Sequence, residues 1–225
     1  MQRAGRRVMV LMATCVALAG GCALASDMPA VTGSTVEQGQ IAARSLTDNQ
    51  IAMDLMRKGR AADALALLEP AAQRFAGVAK QGSARCGKQG LDAETCDALF
   101  LRAFALTELG RRSDAIEALQ QLTRLSPDAP RYVVELAYAY RASGDKDAAM
   151  ATYAAAVKVA SRPAAVDGAK YRAAALRGMG YLLVDKGDLA GGEKAYRASL
   201  RDDPESKIAA GELAFIARKR AAGSL

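Results

Sequence analysis

The chain has 225 residues, of which 51% are hydrophobic and only 5% aromatic, and it contains neither tryptophan nor histidine. The missing histidine removes the commonest general base, so the composition gives no support to catalysis and a non-enzymatic protein is expected. Alanine and leucine dominate, and β-branched runs flanked by turn residues are missing, which predicts an all-α fold.

The first 25 residues have the three parts of an export signal. Three arginines within the first seven residues form a positive start, residues 8–19 form an apolar stretch, and Ala23-Leu24-Ala25 gives a small-x-small cleavage site. The apolar stretch is shorter than a helix that crosses a bilayer, so it predicts export rather than a membrane span.

The point of cleavage has two alternatives. Leu18-Ala19-Gly20-Gly21-Cys22 resembles a bacterial lipoprotein box, although Ala19 stands where that box usually has Leu, Val or Ile. Lipidation at Cys22 would tether the protein to the outer membrane, whereas cleavage after Ala25 would release a soluble periplasmic protein. Three arginines leave with the signal, so the 31 basic residues fall to 28 against 24 acidic ones, and nucleic acid is not an expected partner.

Residues 26–47 are rich in Gly, Ser, Thr and Gln, and they predict a flexible linker between the signal and a helical domain. The helical domain is expected over 48–221, with a disordered tail over 222–225. Its first repeat is degenerate, with Gly59 as the candidate turn between two helices and Pro70 inside the second helix. Because proline removes a backbone donor, we expect that helix to be kinked.

A glycine-rich insertion over residues 77–95 then interrupts the helical pattern and predicts a loop. It carries Cys86, and Cys96 begins the following helix; these are the two cysteines that lie outside the signal region. In an oxidising compartment such a pair favours a structural disulfide over a redox-active site, because the spacing is not Cys-x-x-Cys. With no histidine and two thiols, neither a metal site nor a cofactor is expected.

Two well-kept repeats follow with a period of 34 residues. Gly110 and Ala115 in the first of them recur as Gly144 and Ala149 in the second, which is typical of paired-helix repeats. Within the first of these repeats, Ser113 is the predicted N-cap of the second helix.

The third repeat is expected to begin with Asp128 as its N-cap. Nine extra residues, 164–172, then shift the period and predict a helix lengthened backward toward Asp167. The fourth repeat has Gly192 where alanine is usual, which predicts a helix weaker by about 1 kcal/mol. A final helix over 205–221 is expected to cover the last repeat with one apolar side. That side consists of Ile208, Leu213 and Ile216.

These spacings resemble the tetratricopeptide repeat (TPR) family. The matching lines are Gly110-x4-Ala115-x3-Leu119-x7-Pro127 and Gly187-x8-Tyr196-x7-Pro204. The resemblance implies a right-handed superhelical solenoid of antiparallel helix pairs, with about four repeats and a C-terminal capping helix. It also implies that the first helix of each repeat lines a concave groove, which is a surface for protein partners rather than for one particular chemistry.

The groove positions of the family can be carried over to this chain as a candidate peptide site. The family's clamp for a terminal carboxylate is not expected, because its lysine and asparagine are missing from the equivalent positions. An alternative is that the aromatic residues at these positions pack against neighbouring helices and bind no ligand. The candidate residues are Asn49, Met53, Phe100, Phe104, Arg131, Tyr138, Arg141, Arg177 and Tyr181.

The sequence therefore predicts a periplasmic adaptor that holds a protein or peptide segment within an envelope, pilus or secretion assembly. A self-associating structural subunit of an envelope complex, and a thiol-redox protein that uses Cys86 and Cys96, are the alternatives. Contact with a membrane is expected only through a lipid on Cys22.

Overall fold

The computed structural model describes residues 47–79, 85–86 and 90–223. The export signal, Cys22 and most of the predicted linker lie outside the described residues. Within those ranges, no helix combines the length and the apolar character that crossing a membrane requires.

The described residues form nine helices, which pair as four consecutive repeats followed by a final helix. Each helix from α2 onward packs on the next helix in sequence, and α1 packs on α2 through buried alanines and Leu68. The helices are α1 (47–57), α2 (Ala61–Ala79), α3 (Ala93–Glu108), α4 (Arg112–Leu125), α5 (Pro130–Ser143), α6 (Lys146–Ala160), α7 (Gly168–Asp185), α8 (Leu189–Asp202) and α9 (Lys207–Gly223).

The insertion before α3 contains two very short strands, where the sequence predicted only a loop. β1 (Arg85–Cys86) and β2 (Gly90–Leu91) pair in parallel. Because each strand has two residues, they do not change the all-α class of the fold. At the other end of the chain, α9 continues to Gly223, so the first two residues of the predicted tail over 222–225 are helical.

The turn inside each repeat is built around a glycine in the left-handed region. Its φ is +73° at Gly59 and Gly110, +92° at Gly144 and +88° at Gly187. A side chain disfavours this conformation, which is why the four turns fall where the 34-residue pattern places glycine. The backbone N–H of the residue after each glycine donates a hydrogen bond to a carbonyl of the preceding helix, as from Asp145 to Tyr140 (3.0 Å).

Two predicted N-caps are wrong. Helix α4 begins at Arg112, so Ser113 lies inside it; Arg111 occupies the cap position and makes no side-chain cap hydrogen bond. The glycine turn fixes the cap one residue after Gly110, which leaves Ser113 two residues too late. Helix α5 has Ala129 at its cap position, and Asp128 instead forms an ion pair with Arg162 across one repeat.

Large buried tyrosines from the second helices pack against glycines of α7. A Cβ built on Gly178 would lie 2.3 Å from Cζ of Tyr153, and one built on Gly180 would lie 3.0 Å from the Tyr196 ring. Gly192 is equally tight, with Cγ2 of Val184 at 2.5 Å from its hypothetical Cβ. The missing side chain lets α8 approach α7 closely, and the predicted weakening of α8 by Gly192 stays a prediction.

The helix bounds show what the irregular parts of the sequence form. The nine-residue shift lengthens the fourth repeat as predicted, since α7 begins at Gly168 directly after Asp167. Helix α2 continues through Pro70 to Ala79, and its expected kink stays a prediction. In α9, Ile216 is buried as expected, but Ile208 is 67% exposed and does not join the side that packs on α8.

Candidate peptide-binding groove

The first helices of the four repeats present an apolar side chain at the same position. Met53 is 47% exposed, Phe104 45% and Tyr181 46%. Tyr138, which has the equivalent position in the third repeat, is half-buried. The three rings of α3, α5 and α7, together with Met53 at the same position of α1, form what we call the aromatic ladder. Large apolar side chains that are nearly half exposed are unusual for a solvated helix face, so the ladder is a candidate contact surface.

Two cavities adjoin along this ladder, because both are lined by Phe100 and Phe104. The first, of about 400 Å³, lies between α1 and α3 and also has Met53, Met56, Arg57, Leu101 and Glu108 in its wall. The second, which we call the central cavity, has a volume of about 300 Å³ and lies between α3 and α5. Its remaining walls are Ala103, Thr107, Leu119, Glu135, Tyr138, Ala139, Arg141 and Ala142.

Arg131 is fixed beside the ladder by three contacts. Its guanidinium lies 4.4 Å from the ring centre of Phe100 and 4.9 Å from that of Tyr132. Its Nη2 also donates to Oδ1 of Asp97 at 2.7 Å. Since Asp97 already neutralises its charge, Arg131 orients the Phe100 ring rather than offering a free cation.

Arg141 has a different environment. Its guanidinium stacks on two ladder rings, 5.2 Å from the centre of Tyr138 and 4.7 Å from that of Tyr181. Among the described residues, no carboxylate forms an ion pair with it, and no hydrogen bond occupies its N–H groups. Stacking therefore holds the cation in place while its five donors remain available.

Glu135 provides an acidic group in the same cavity. Burial raises the pKa of its carboxyl above the usual range, and the positive charge of Arg131 opposes that rise in part. Burial also raises the pKa of Tyr138, whose ring stands edge-on to Tyr153 with the two ring centres 5.5 Å apart. The central cavity thus combines apolar walls with one carboxylate and one guanidinium.

Two predicted groove residues form hydrogen bonds to neighbouring parts of the fold. Asn49 is buried, and its Nδ2 donates to the backbone carbonyl of Glu94 on α3 at 2.9 Å. Arg177 donates through Nη1 to Oδ2 of Asp203 at 2.8 Å, which links α7 to the end of α8. The sequence placed both residues in the groove, and the structure places both in contacts between helices.

One more aromatic residue shares the ladder position, and it is not among the residues predicted from the sequence. Phe215 on α9 lies 34 residues after Tyr181, so it occupies the ladder position of a fifth first helix, and it is 38% exposed. The Lys219 ammonium lies 5.6 Å from its ring centre. The 34-residue period carries this signal, because it continues into the final helix, which the sequence predicts only as a cap.

Cys86 and Cys96 are joined by a disulfide that connects β1 to the first turn of α3, with the two Cα atoms 6.0 Å apart. The Cys96 side chain is buried in the same apolar cluster as Leu91 and Leu99. The bond therefore fastens the insertion to the core. Across the described ranges, no group of three or more acidic or cysteine side chains could hold a metal ion.

Comparison with known proteins identifies the family. A family model described as "Bacterial transcriptional activator domain" (BTAD) matches residues 43–170, which is more than half of the chain. The chain belongs to this family. The match covers the first three repeats of the BTAD chain, whereas no curated protein matches it.

Solved structures with TPR folds resemble the BTAD chain. A structure of MamA from Desulfovibrio magneticus RS-1 covers 79% of this chain and 85% of its own, with 19% identity and a TM-score of 0.55. The TPR domain of Sgt2 from Aspergillus fumigatus covers 57% and 81%, with 24% identity and a TM-score of 0.49. The Yersinia enterocolitica secretion chaperone SycD, solved with a peptide of the translocator YopD, covers 57% and 97%, with 19% identity and a TM-score of 0.48. With four helix pairs and a MamA-like solenoid, the predicted TPR fold is confirmed.

Proposed function

We propose that the protein is an exported, non-catalytic adaptor that holds a segment of another protein in its concave groove, within an envelope assembly such as pilus or secretion machinery. The observation that carries this proposal is the aromatic ladder with its two adjoining cavities. Exposed aromatic rings beside apolar cavities are the usual anchors of protein interfaces, and a row of them along parallel helices suits an extended or helical peptide.

The disulfide supports an exported location. Cytosolic thiols are kept reduced, whereas a disulfide between Cys86 and Cys96 is stable in the periplasm. The family name refers to transcriptional activation, a role that would keep the protein in the cytosol. Cell fractionation with mass measurement of the mature protein separates these locations. A lipid on Cys22 and cleavage after Ala25 give different masses, and an uncleaved chain in the cytosol would overturn the proposed export.

Affinity capture from envelope extracts tests the groove. The test variant combines Phe104→Ala with Tyr181→Ala, because these two rings protrude, whereas the Tyr138 ring supports buried Tyr153. Val166→Ala is the matched control, since Val166 is an exposed apolar residue on the loop before α7. We expect partners that wild type and the control retain and the double variant loses. An unchanged set of partners would refute the groove proposal.

Self-association is a second candidate function, and the exposed side of α9 favours it. Ile208 and Phe215 are left without a following helix to cover them among the described residues. Light scattering across a concentration series tests this candidate. A homo-oligomer that Ile208→Glu dissociates would support it, and a monomer at every concentration would exclude it. A redox role is disfavoured because the Cys96 side chain is buried.

A further inference from the structure

This inference rests on the proposed groove function and specifies the ligand. We propose that the central cavity recognises a peptide segment in which an acidic and a basic residue flank an apolar side chain. The apolar side chain would fill the cavity, the acidic residue would meet Arg141, and the basic residue would meet Glu135.

Two arginines lie beside the cavity, and they differ in whether a carboxylate already pairs with them. Arg131 is already paired with Asp97, but Arg141 is stacked between Tyr138 and Tyr181 without a carboxylate partner in the described ranges. A guanidinium held by two rings is pre-oriented, so a ligand carboxylate can accept two hydrogen bonds from it with little loss of side-chain entropy.

Glu135 decides what kind of anion fits. Its carboxylate lines the same cavity as Arg141 and is partly desolvated, as its raised pKa indicates. A phosphate-rich ligand would place its own negative charges next to Glu135, and Glu108 lines the adjoining cavity. Charge complementarity therefore favours a peptide that carries both signs of charge over a nucleic acid or a phosphorylated lipid.

The positions of the two charges set a spacing for the ligand. Glu135, Tyr138 and Arg141 follow one another at intervals of three residues on α5, so they form one ridge beside the cavity. Six residues of α-helix span about 9 Å. The same distance corresponds to two or three residues of an extended peptide. Apart from Thr107 and these two charged residues, the cavity wall consists of aromatic residues, Leu119 and alanines, which suits one medium-sized apolar side chain.

Selection from random dodecapeptides displayed on phage tests the inference, with the disulfide-bonded mature protein as bait. Binders are kept only if the variant Phe104→Ala/Tyr181→Ala fails to retain them. We expect the remaining peptides to share an acidic and a basic residue on either side of an apolar one. Fluorescence anisotropy with the best peptide then measures affinities for the single-site variants.

Arg141→Gln is expected to weaken binding by about tenfold or more, because it removes a charge-assisted hydrogen bond. Glu135→Gln should weaken it in the same direction, while Arg141→Lys keeps the charge without the planar donors and should fall in between. Arg112→Gln, at an exposed position on α4, is the control for the loss of a positive charge and should bind as wild type does. Replacing the peptide's acid by its amide should weaken binding to wild type but not to Arg141→Gln.

The outcomes separate this inference from the proposed function. Peptides that need the aromatic ladder but bind Arg141→Gln and Glu135→Gln as tightly as wild type would overturn the charge inference and leave the groove proposal standing. If no peptide depends on Phe104 and Tyr181, both proposals are wrong. Melting temperatures of the variants close to that of wild type would show that weaker binding reflects lost contacts.

Discussion

Replacing Gly178 by alanine is expected to destabilise the protein, against the usual trend for a helix interior. Alanine normally stabilises a helix by about 1 kcal/mol relative to glycine. At Gly178, however, the new Cβ would lie 2.3 Å from Cζ of Tyr153, and ordinary contact begins at 3.4 Å. The ring or the helix must therefore move by about 1 Å in a close-packed interior. Overpacking of this kind outweighs the gain in helix propensity, so we expect the free energy of unfolding to fall by about 2 kcal/mol.

Gly211 in α9 offers a matched control, because nothing lies within 4 Å of a Cβ built there. Gly211→Ala should raise the free energy of unfolding by up to about 1 kcal/mol, so the two identical substitutions should differ by about 3 kcal/mol. Urea unfolding followed by far-ultraviolet circular dichroism measures both variants against wild type.

A double-mutant cycle with Tyr153→Leu tests the cause. The smaller side chain removes the ring atoms that a Cβ at Gly178 would meet, so Gly178→Ala should then no longer destabilise the protein and should raise the free energy of unfolding by up to about 1 kcal/mol. Strictly additive effects would show that the ring is not the source of the loss. Equal stability of Gly178→Ala and Gly211→Ala would refute the packing argument altogether.

The disulfide and two tyrosines give three further predictions. Replacing Cys86 and Cys96 by serine should lower the free energy of unfolding by about 3 kcal/mol, the chain-entropy value for so short a loop, and a reductant should affect wild type but not the variant. Tyr153→Phe should leave stability unchanged or raise it, because the buried hydroxyl lacks a hydrogen-bond partner within the described structure. Tyr140→Phe should lower it by about 1 kcal/mol in the same unfolding assay, since Gln120 Nε2 donates to that hydroxyl at 2.7 Å.

The period of the sequence predicted the turns and the ladder because both depend on local spacing. A glycine recurring with the repeat sets the turn, and counting from it places Phe104, Tyr138 and Tyr181 on one face. Phe215 follows from the same count, and only the interpretation of the last helix as a polar cap left it out.

The hydrogen-bond partners of the polar residues on that face could not be predicted in the same way. A register position gives the direction of a side chain, whereas its partner belongs to another part of the chain. Asn49 reaches the carbonyl of Glu94, and Arg177 reaches Asp203 at the end of the following helix. The close packing at Gly192 could not be predicted either. Helix propensity describes a single helix, whereas the contact with Val184 involves two helices.

The contact between Tyr153 and Gly178 also connects the core to the groove. Tyr153 supports the edge of Tyr138, and Tyr138 with Tyr181 holds the Arg141 guanidinium. The groove side chains are thus oriented by a buried ring on α6, before any ligand is present, and a peptide need not order them when it binds. An alanine at Gly178 that displaces the Tyr153 ring should therefore disturb the central cavity as well as the core. Because this effect passes through Tyr138, it should weaken peptide binding in Gly178→Ala and not in Gly211→Ala, even under conditions where both variants are fully folded.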